Sequence, residues 1–373
     1  VNGGPLAVYV HVPFCPSKCG YCDFNSFAMS GPVVERTVEA TEADAARSPA
    51  RGRPAKTVFF GGGTPTLLPP RLQARLLRSV LEAHPALAEA EVTTEANPGT
   101  VDEAGLGLLR EAGFNRISLG AQSFRGPDLV QLGRAHGSLD VARAVRDARR
   151  AGFGRISLDL MFGLPGQTLA AWEDNVRQAL DLGPGHLSLY CLTIEPNTRF
   201  FRYWSRGMLD LPEEGVQCAM YDRAVELCAG AGLAQYEISN FAWPGEECRH
   251  NLAYWRAEEY AGYGPGAVGC LRTGDGPYPR ERTTRTKHPE AYCSHVESGS
   301  EAVCERETVD AATGERERIM LGIRLAEGLP CAGLPDEGIA KAVRRGWAVQ
   351  AEGRVRLTPA GRHFCSEVAV GLI

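Results

Sequence analysis

The chain has 373 residues, 44% hydrophobic and 23% charged, enough for one large core and a smaller unit. A net charge of −5 gives no electrostatic reason to expect nucleic acid or an anionic membrane as main partner. No run approaches the roughly 18 apolar residues that span a bilayer, so no transmembrane segment is expected. The start, VNGGPLAVYVHV, lacks the features of a secretory signal, which makes the cytoplasm the expected compartment.

Strand-like and helix-like segments alternate over the first 245 residues. The strands are expected at 6–12, 57–62, 91–96, 116–122, 155–163 and 186–193. Between the second and third, PRLQARLLRSVLEAH repeats Leu72, Leu76, Leu77, Val80 and Leu81 near a 3.6 period, one buried helical stripe. Apolar strands joined by helices imply a parallel sheet covered on both faces, and six such units a partial TIM-like (β/α)6 barrel. In such a sheet chemistry gathers at the C-terminal strand ends, where Gly61–Gly63, Glu95, Gln122 and Asp159 fall. Residues 246–373 form a second, smaller α+β unit. It opens with an aromatic, glycine-rich stretch, then expects helices near 311–326 and 336–346 and the hairpin-like WAVQAEGRVRLTPAG. The end reads as winged-helix-like, with no basic cluster to read DNA.

Nine of the twelve cysteines are scattered singly and read as small buried hydrophobes in a reducing compartment. The other three crowd into HVPFCPSKCGYCDF as Cys15, Cys19 and Cys22. A disulfide would strand one of them. Zinc would ask for a fourth ligand, for which His11 is the candidate, although it lies in the strand before the loop. Three thiolates alone suit an iron–sulfur cube with one iron left open.

With Tyr21 beside the last cysteine, the Cys-x3-Cys-x2-Cys spacing resembles the radical S-adenosylmethionine (SAM) superfamily. The resemblance implies a 4Fe-4S cluster on Cys15, Cys19 and Cys22, whose open iron is chelated by SAM, and cleavage of SAM to a 5′-deoxyadenosyl radical. It implies a radical SAM barrel for the first 245 residues, with a flavodoxin or ferredoxin as electron donor. In GGGTP, Gly61, Gly62 and Gly63 have no side chains to keep backbone from the methionyl group, and Thr64 follows them. Glu95 is a carboxylate suited to a cationic amine, and Gln122, Arg134 and Asp159 suit ribose hydroxyls or the SAM carboxylate.

Further stretches, VYVHVPFC, FFGGGTPTLL, TEANPGT, GFNRISLGAQSF, LGRAH, LDLMFGLPGQT, YEISNFA and HNLAYW, resemble the HemN/HemW group over nearly the whole chain. That group includes oxygen-independent coproporphyrinogen dehydrogenase, the haem chaperone HemW and class C radical SAM methyltransferases. It implies Tyr9 near the SAM sulfonium and two SAM molecules per active site. Phe24 stands where the coproporphyrinogen enzyme has a cysteine, which argues against that member. Val268 in GPGAVG replaces a histidine familiar in HemW, and favours class C-type methyl transfer or cyclopropanation on an sp2 carbon of a small substrate. Tyr190, Tyr236, Phe241 and Trp243 are then candidate walls for a planar acceptor. The alternative is a HemW-like chaperone that binds haem through HNLAYW, with His250 as axial ligand and Tyr254 and Trp255 beside the macrocycle.

Overall fold

The computed structural model describes residues 3–373. Strands β1 (Leu6–Val12), β2 (Ala55–Gly62), β3 (Ala86–Ala96), β4 (Arg116–Gln122), β5 (Arg155–Phe162) and β6 (His186–Cys191) pair in parallel in chain order. Around them run helices α1 (Pro32–Ala46), α2 (Pro70–Ala83), α3 (Glu103–Ala112), α4 (Gly126–Leu132), α5 (Ser138–Arg150), α6 (Leu169–Asp181), α7 (Arg199–Trp204) and α8 (Glu214–Gly230). All six expected strands are present, β1 and β4 with the expected ends.

The pleat explains how one sheet serves both core and site. Along β4, Ile117, Leu119 and Ala121 point to one face and are fully buried in the main core. Arg116, Ser118, Gly120 and Gln122 alternate onto the other face, inside the barrel. Helix α2 closes the outside with the expected stripe. Leu76, Leu77 and Val80 are buried, each worth about 2 kcal/mol, while Leu72 and Leu81 are partly covered. Gln73 shares that face because its Nε2 donates to Thr94 Oγ1 at 2.7 Å.

Beyond β6 the hairpin β7 (Ala234–Glu237) and β8 (Asn240–Ala242) adds antiparallel strands to one edge. Helix α9 (Arg249–Trp255) crosses back, and β9 (Tyr260–Tyr263) joins β1 in parallel at the other edge. Strands β10 (Val268–Arg272), β11 (Arg280–Arg285) and β12 (Val303–Val309) extend it antiparallel, with α10 (Pro289–Glu297) packed on α1. The twelve-stranded order is β12-β11-β10-β9-β1-β2-β3-β4-β5-β6-β8-β7. Four strands after residue 245 therefore belong to the same sheet, so the expected boundary does not coincide with a sheet edge.

A separate small core does form at the end. Helix α11 (Ala311–Gly322), strand β13 (Leu329–Pro330), helix α12 (Asp336–Arg344), hairpin β14 (Ala348–Ala351) and β15 (Arg354–Leu357), and helices α13 (Pro359–Arg362) and α14 (Cys365–Leu372) enclose Ile319, Ile323, Ile339, Val355 and Leu372. The two expected helices and the hairpin are there. All twelve cysteines are free thiols. Cys228, Cys248, Cys270 and Cys293 are buried as expected of the scattered ones, but Cys191 and Cys304 are exposed.

Candidate functional site

The upper strand ends of the barrel and the loop after β1 enclose a cavity of about 410 Å³, lined by Cys15, Cys19 and Cys22 among others. Backbone bonds fix that loop: Phe27 N–H donates to Pro13 O (2.7 Å), Cys15 N–H to Phe27 O (3.1 Å), and Phe200 N–H to Gly20 O (2.9 Å). The three thiols are half-buried. Burial raises the pKa of Cys15 and Cys22, so their protons leave when a cation arrives to bind the sulfurs. Arg134 Nη1 lies 3.8 Å from Cys19 Sγ, and Thr64 Oγ1 lies 3.5 Å from Cys15 Sγ, both suited to stabilise negative sulfur. His11 is no fourth ligand. Its Nε2 donates to Asn25 O (2.8 Å), its Nδ1 accepts from the Tyr9 hydroxyl (3.0 Å), and it is buried.

Three glycines make the opposite wall possible. A Cβ on Gly63 would stand 2.5 Å from Phe14 O, one on Gly62 (φ 109°) 2.5 Å from the His11 ring, and one on Gly61 2.9 Å from Phe59. The N–H groups of Gly63 and Thr64 are spent on Val12 O (2.8 Å) and Phe14 O (2.7 Å), which lock the wall to the cysteine loop. Gly62 N–H donates to Glu95 Oε2 at 3.2 Å. Burial, then the charge of Asp159, pushes Glu95 up to about 8. Burial likewise raises Asp159, whose oxygens accept from Ser118 Oγ at 3.0 and 3.1 Å. Gln122 ends β4 at φ 64°, a left-handed conformation costly for a residue with a side chain. There Arg134 Nη2 donates to Gly120 O (2.7 Å) and to Asn97 Oδ1.

Residues 9–179 match the radical SAM superfamily. The haem chaperone HemW of Escherichia coli (strain K12) is 38% identical over 381 residues, covering 98% of this chain and 97% of that one. HemW of Mycobacterium tuberculosis (strain ATCC 25618 / H37Rv) is 35% identical, covering 100% and 95%. This chain belongs to the radical SAM superfamily, in its HemN/HemW-like group. Among solved structures, coproporphyrinogen III oxidase (HemN) from Escherichia coli superposes with a TM-score of 0.82 at 21% identity, over 99% of this chain and 90% of that one, a match of fold.

The donor set fits the cluster this superfamily implies. Three free thiols share one cavity, yet among the described residues no three metal-ligating side chains converge at single-ion spacing. A cube gives each sulfur its own iron, whereas zinc would draw them onto one point.

The radical SAM expectations then divide. Cys15, Cys19, Cys22, Gly62, Gly63, Thr64, Glu95, Gln122, Arg134 and Asp159 all line the cavity. Tyr9, Gly61 and His250 do not. Tyr9 stands behind the wall, its ring 6.3 Å from that of Phe59 and its hydroxyl on His11. His250 is 1% exposed, with Nδ1 2.8 Å from Thr57 Oγ1 and Nε2 3.2 Å from Tyr254 Oη. Burial lowers its pKa to about 3, so the imidazole is neutral.

Of the four aromatic walls only Tyr190 reaches the cavity. Tyr236 is bonded to His186 Nε2 (2.8 Å), Phe241 is in the main core, and Trp243 Nε1 donates to Ala231 O. Val268 packs against Gly262 in β10 and does not line the cavity. Arg116, Ser118, Ser188 and Asn251 line it without having been singled out from the sequence. For the first two the signal was present: the period-2 face of RISLGAQ carries them with Gln122.

Proposed function

We propose that this chain is a haem chaperone of the HemW type, a radical SAM protein that binds haem as cargo and passes it to haemoproteins. The observation that carries the reading is relatives named HemW, 35–38% identical, aligned from end to end. Methyl transfer to a planar acceptor has less support, because Val268 and three of its four aromatic walls stand away from the cavity.

Cys15, Cys19 and Cys22 would hold the 4Fe-4S cluster, and Glu95, Gln122, Arg134 and Asp159 would orient SAM beside it. When bound, the cluster supplies the electron for reductive cleavage of SAM. Glu95 keeps its proton at neutral pH until a cationic amine approaches, and then gives it up.

His250 suits haem iron in one respect. Thr57 holds Nδ1 by the shorter bond and leaves Nε2 on the longer one to Tyr254, so a neutral nitrogen is released if Tyr254 swings away. Haem added to the anaerobically reconstituted protein is expected to give a stoichiometric Soret band that is lost in His250→Ala. A wild-type protein that takes up no haem overturns the chaperone reading. Haem uptake unaltered in a folded His250→Ala overturns the axial ligand alone. Formation of S-adenosylhomocysteine together with 5′-deoxyadenosine, with an acceptor present, would restore methyl transfer.

A further inference from the structure

Arg116 opens β4 and projects from the inward face onto the cavity lining, yet the residue is only 2% exposed. Among the described residues no carboxylate stands within 4.0 Å of its guanidinium and no acceptor within hydrogen-bond distance. Glu91 and Asp159 act on its charge only through space and accept their hydrogen bonds elsewhere. Glu91 accepts from Arg155 Nη1 (2.9 Å) and from the N–H groups of Arg249 (3.1 Å) and His250 (3.0 Å). Asp159 accepts from Ser118. Burial alone would lower its pKa, yet Cys248, Glu91, Tyr236 and Asp159 around it hold it charged, so what the guanidinium lacks is a direct acceptor for its N–H groups, which a ligand would supply.

A second donor stands at the same cavity. His250 turns into the core, but its neighbour Asn251 lines the cavity, and among the described residues the Asn251 amide has no protein partner. HNLAYW therefore reaches the cavity through its asparagine.

We propose that Arg116 and Asn251 form a subsite for the carboxylate of a ligand held inside the barrel. The planar fork of arginine matches a carboxylate edge-on, and the asparagine NH2 supplies a further donor. A monoanion matches the single positive charge of the guanidinium.

Two ligands could bring such a group, a haem propionate or the methionyl carboxylate of a second SAM. The propionate source rests on the chaperone reading, and the SAM source does not. The test measures both on the anaerobically reconstituted protein: SAM stoichiometry by equilibrium dialysis, and haem affinity from the Soret band. Arg116→Gln is expected to weaken one of them by about tenfold to a hundredfold, the range of a lost charged hydrogen bond. Arg116→Lys should restore part of that loss. Asn251→Asp, nearly isosteric, places a carboxylate on the lining and should weaken the same ligand, which keeps the test decisive if Arg116→Gln does not fold. SAM stoichiometry falling by one with haem unaffected assigns the methionyl group. Haem weakened with SAM unaffected assigns a propionate. Unchanged binding of both ligands in a folded variant overturns the subsite.

Discussion

Glu259 and Glu95 are both carboxylates of the same sheet, and they have opposite surroundings. At the lower edge, where β1 meets β9, Glu259 accepts from both Nη groups of Arg53 (3.0 Å each), from Arg272 Nε (2.7 Å) and from Arg272 N–H (2.8 Å). Burial works against its charge there, but the arginines outweigh burial and pull it down to about 2. At the upper strand ends Glu95 accepts one backbone N–H and faces Asp159, and burial pushes it up to about 8. The lower edge is complete within the chain, and its charges bind the strands together. The upper end is left incomplete, with surplus acids, thiols and a guanidinium around one cavity, as expected where outside groups bind.

The largest effect belongs to the incomplete end. Cys19→Ala is expected to abolish the cluster absorbance near roughly 400 nm and all SAM cleavage after reconstitution. The fold should persist, because Cys19 is half-buried and outside both main cores. Retention of either signal removes the cysteine loop from the chemistry. Next comes the completed end. Glu91 is fully buried, holds Arg155 together with the first N–H groups of α9, and balances the charge of buried Arg116, so Glu91→Gln strands that buried cation and loosens HNLAYW. It should cost about 3–5 kcal/mol in urea unfolding. A cost near zero would mean that these acids do not hold the scaffold, and the contrast would collapse.

That contrast was only half legible in the sequence. Spacing and strand-end position singled out Cys15, Cys19, Cys22, Glu95, Gln122 and Asp159, which the fold brings to one cavity, because both rules are local. Six strands could be read the same way, from apolar runs bounded by turns. Arg116 was on the page as part of RISLGAQ, but choosing the inward face needs the neighbouring strands. That Tyr9 and His250 stand off the cavity lining was not legible for a related reason: whether an aromatic lines a cavity or backs its wall depends on packing across β2, which Phe59 decides. That the sheet continues past residue 245 was not legible either, because β9 returns to pair with β1, a contact between segments more than 240 residues apart.

The subtlest way to sharpen the comparison is a pair of pH profiles on the ligand-free protein. Glu95 binds its proton more tightly folded than unfolded, about 8 against an ordinary 4.5. Its contribution to stability is therefore greatest in acid, declines as pH rises from 4.5 to about 8, and is flat above that. Glu95→Gln should remove this decline and raise the melting temperature at pH 8 by a few degrees. Glu259 has the opposite sign. Its folded pKa of about 2 lies below the same 4.5, so its contribution is present above pH 4.5 and lost as pH falls toward 2. Glu259→Gln should lower stability at pH 7 and leave a shallower acid limb. The cavity acid also predicts that a cationic amine ligand binds with proton release, so SAM affinity should rise up to about pH 8 in the wild type and lose that rise in Glu95→Gln. Profiles of the same sign for the two variants would show that the upper acid is as well partnered as the lower one, and the cavity would then lack the unsatisfied charge that the SAM assignment of Glu95 requires.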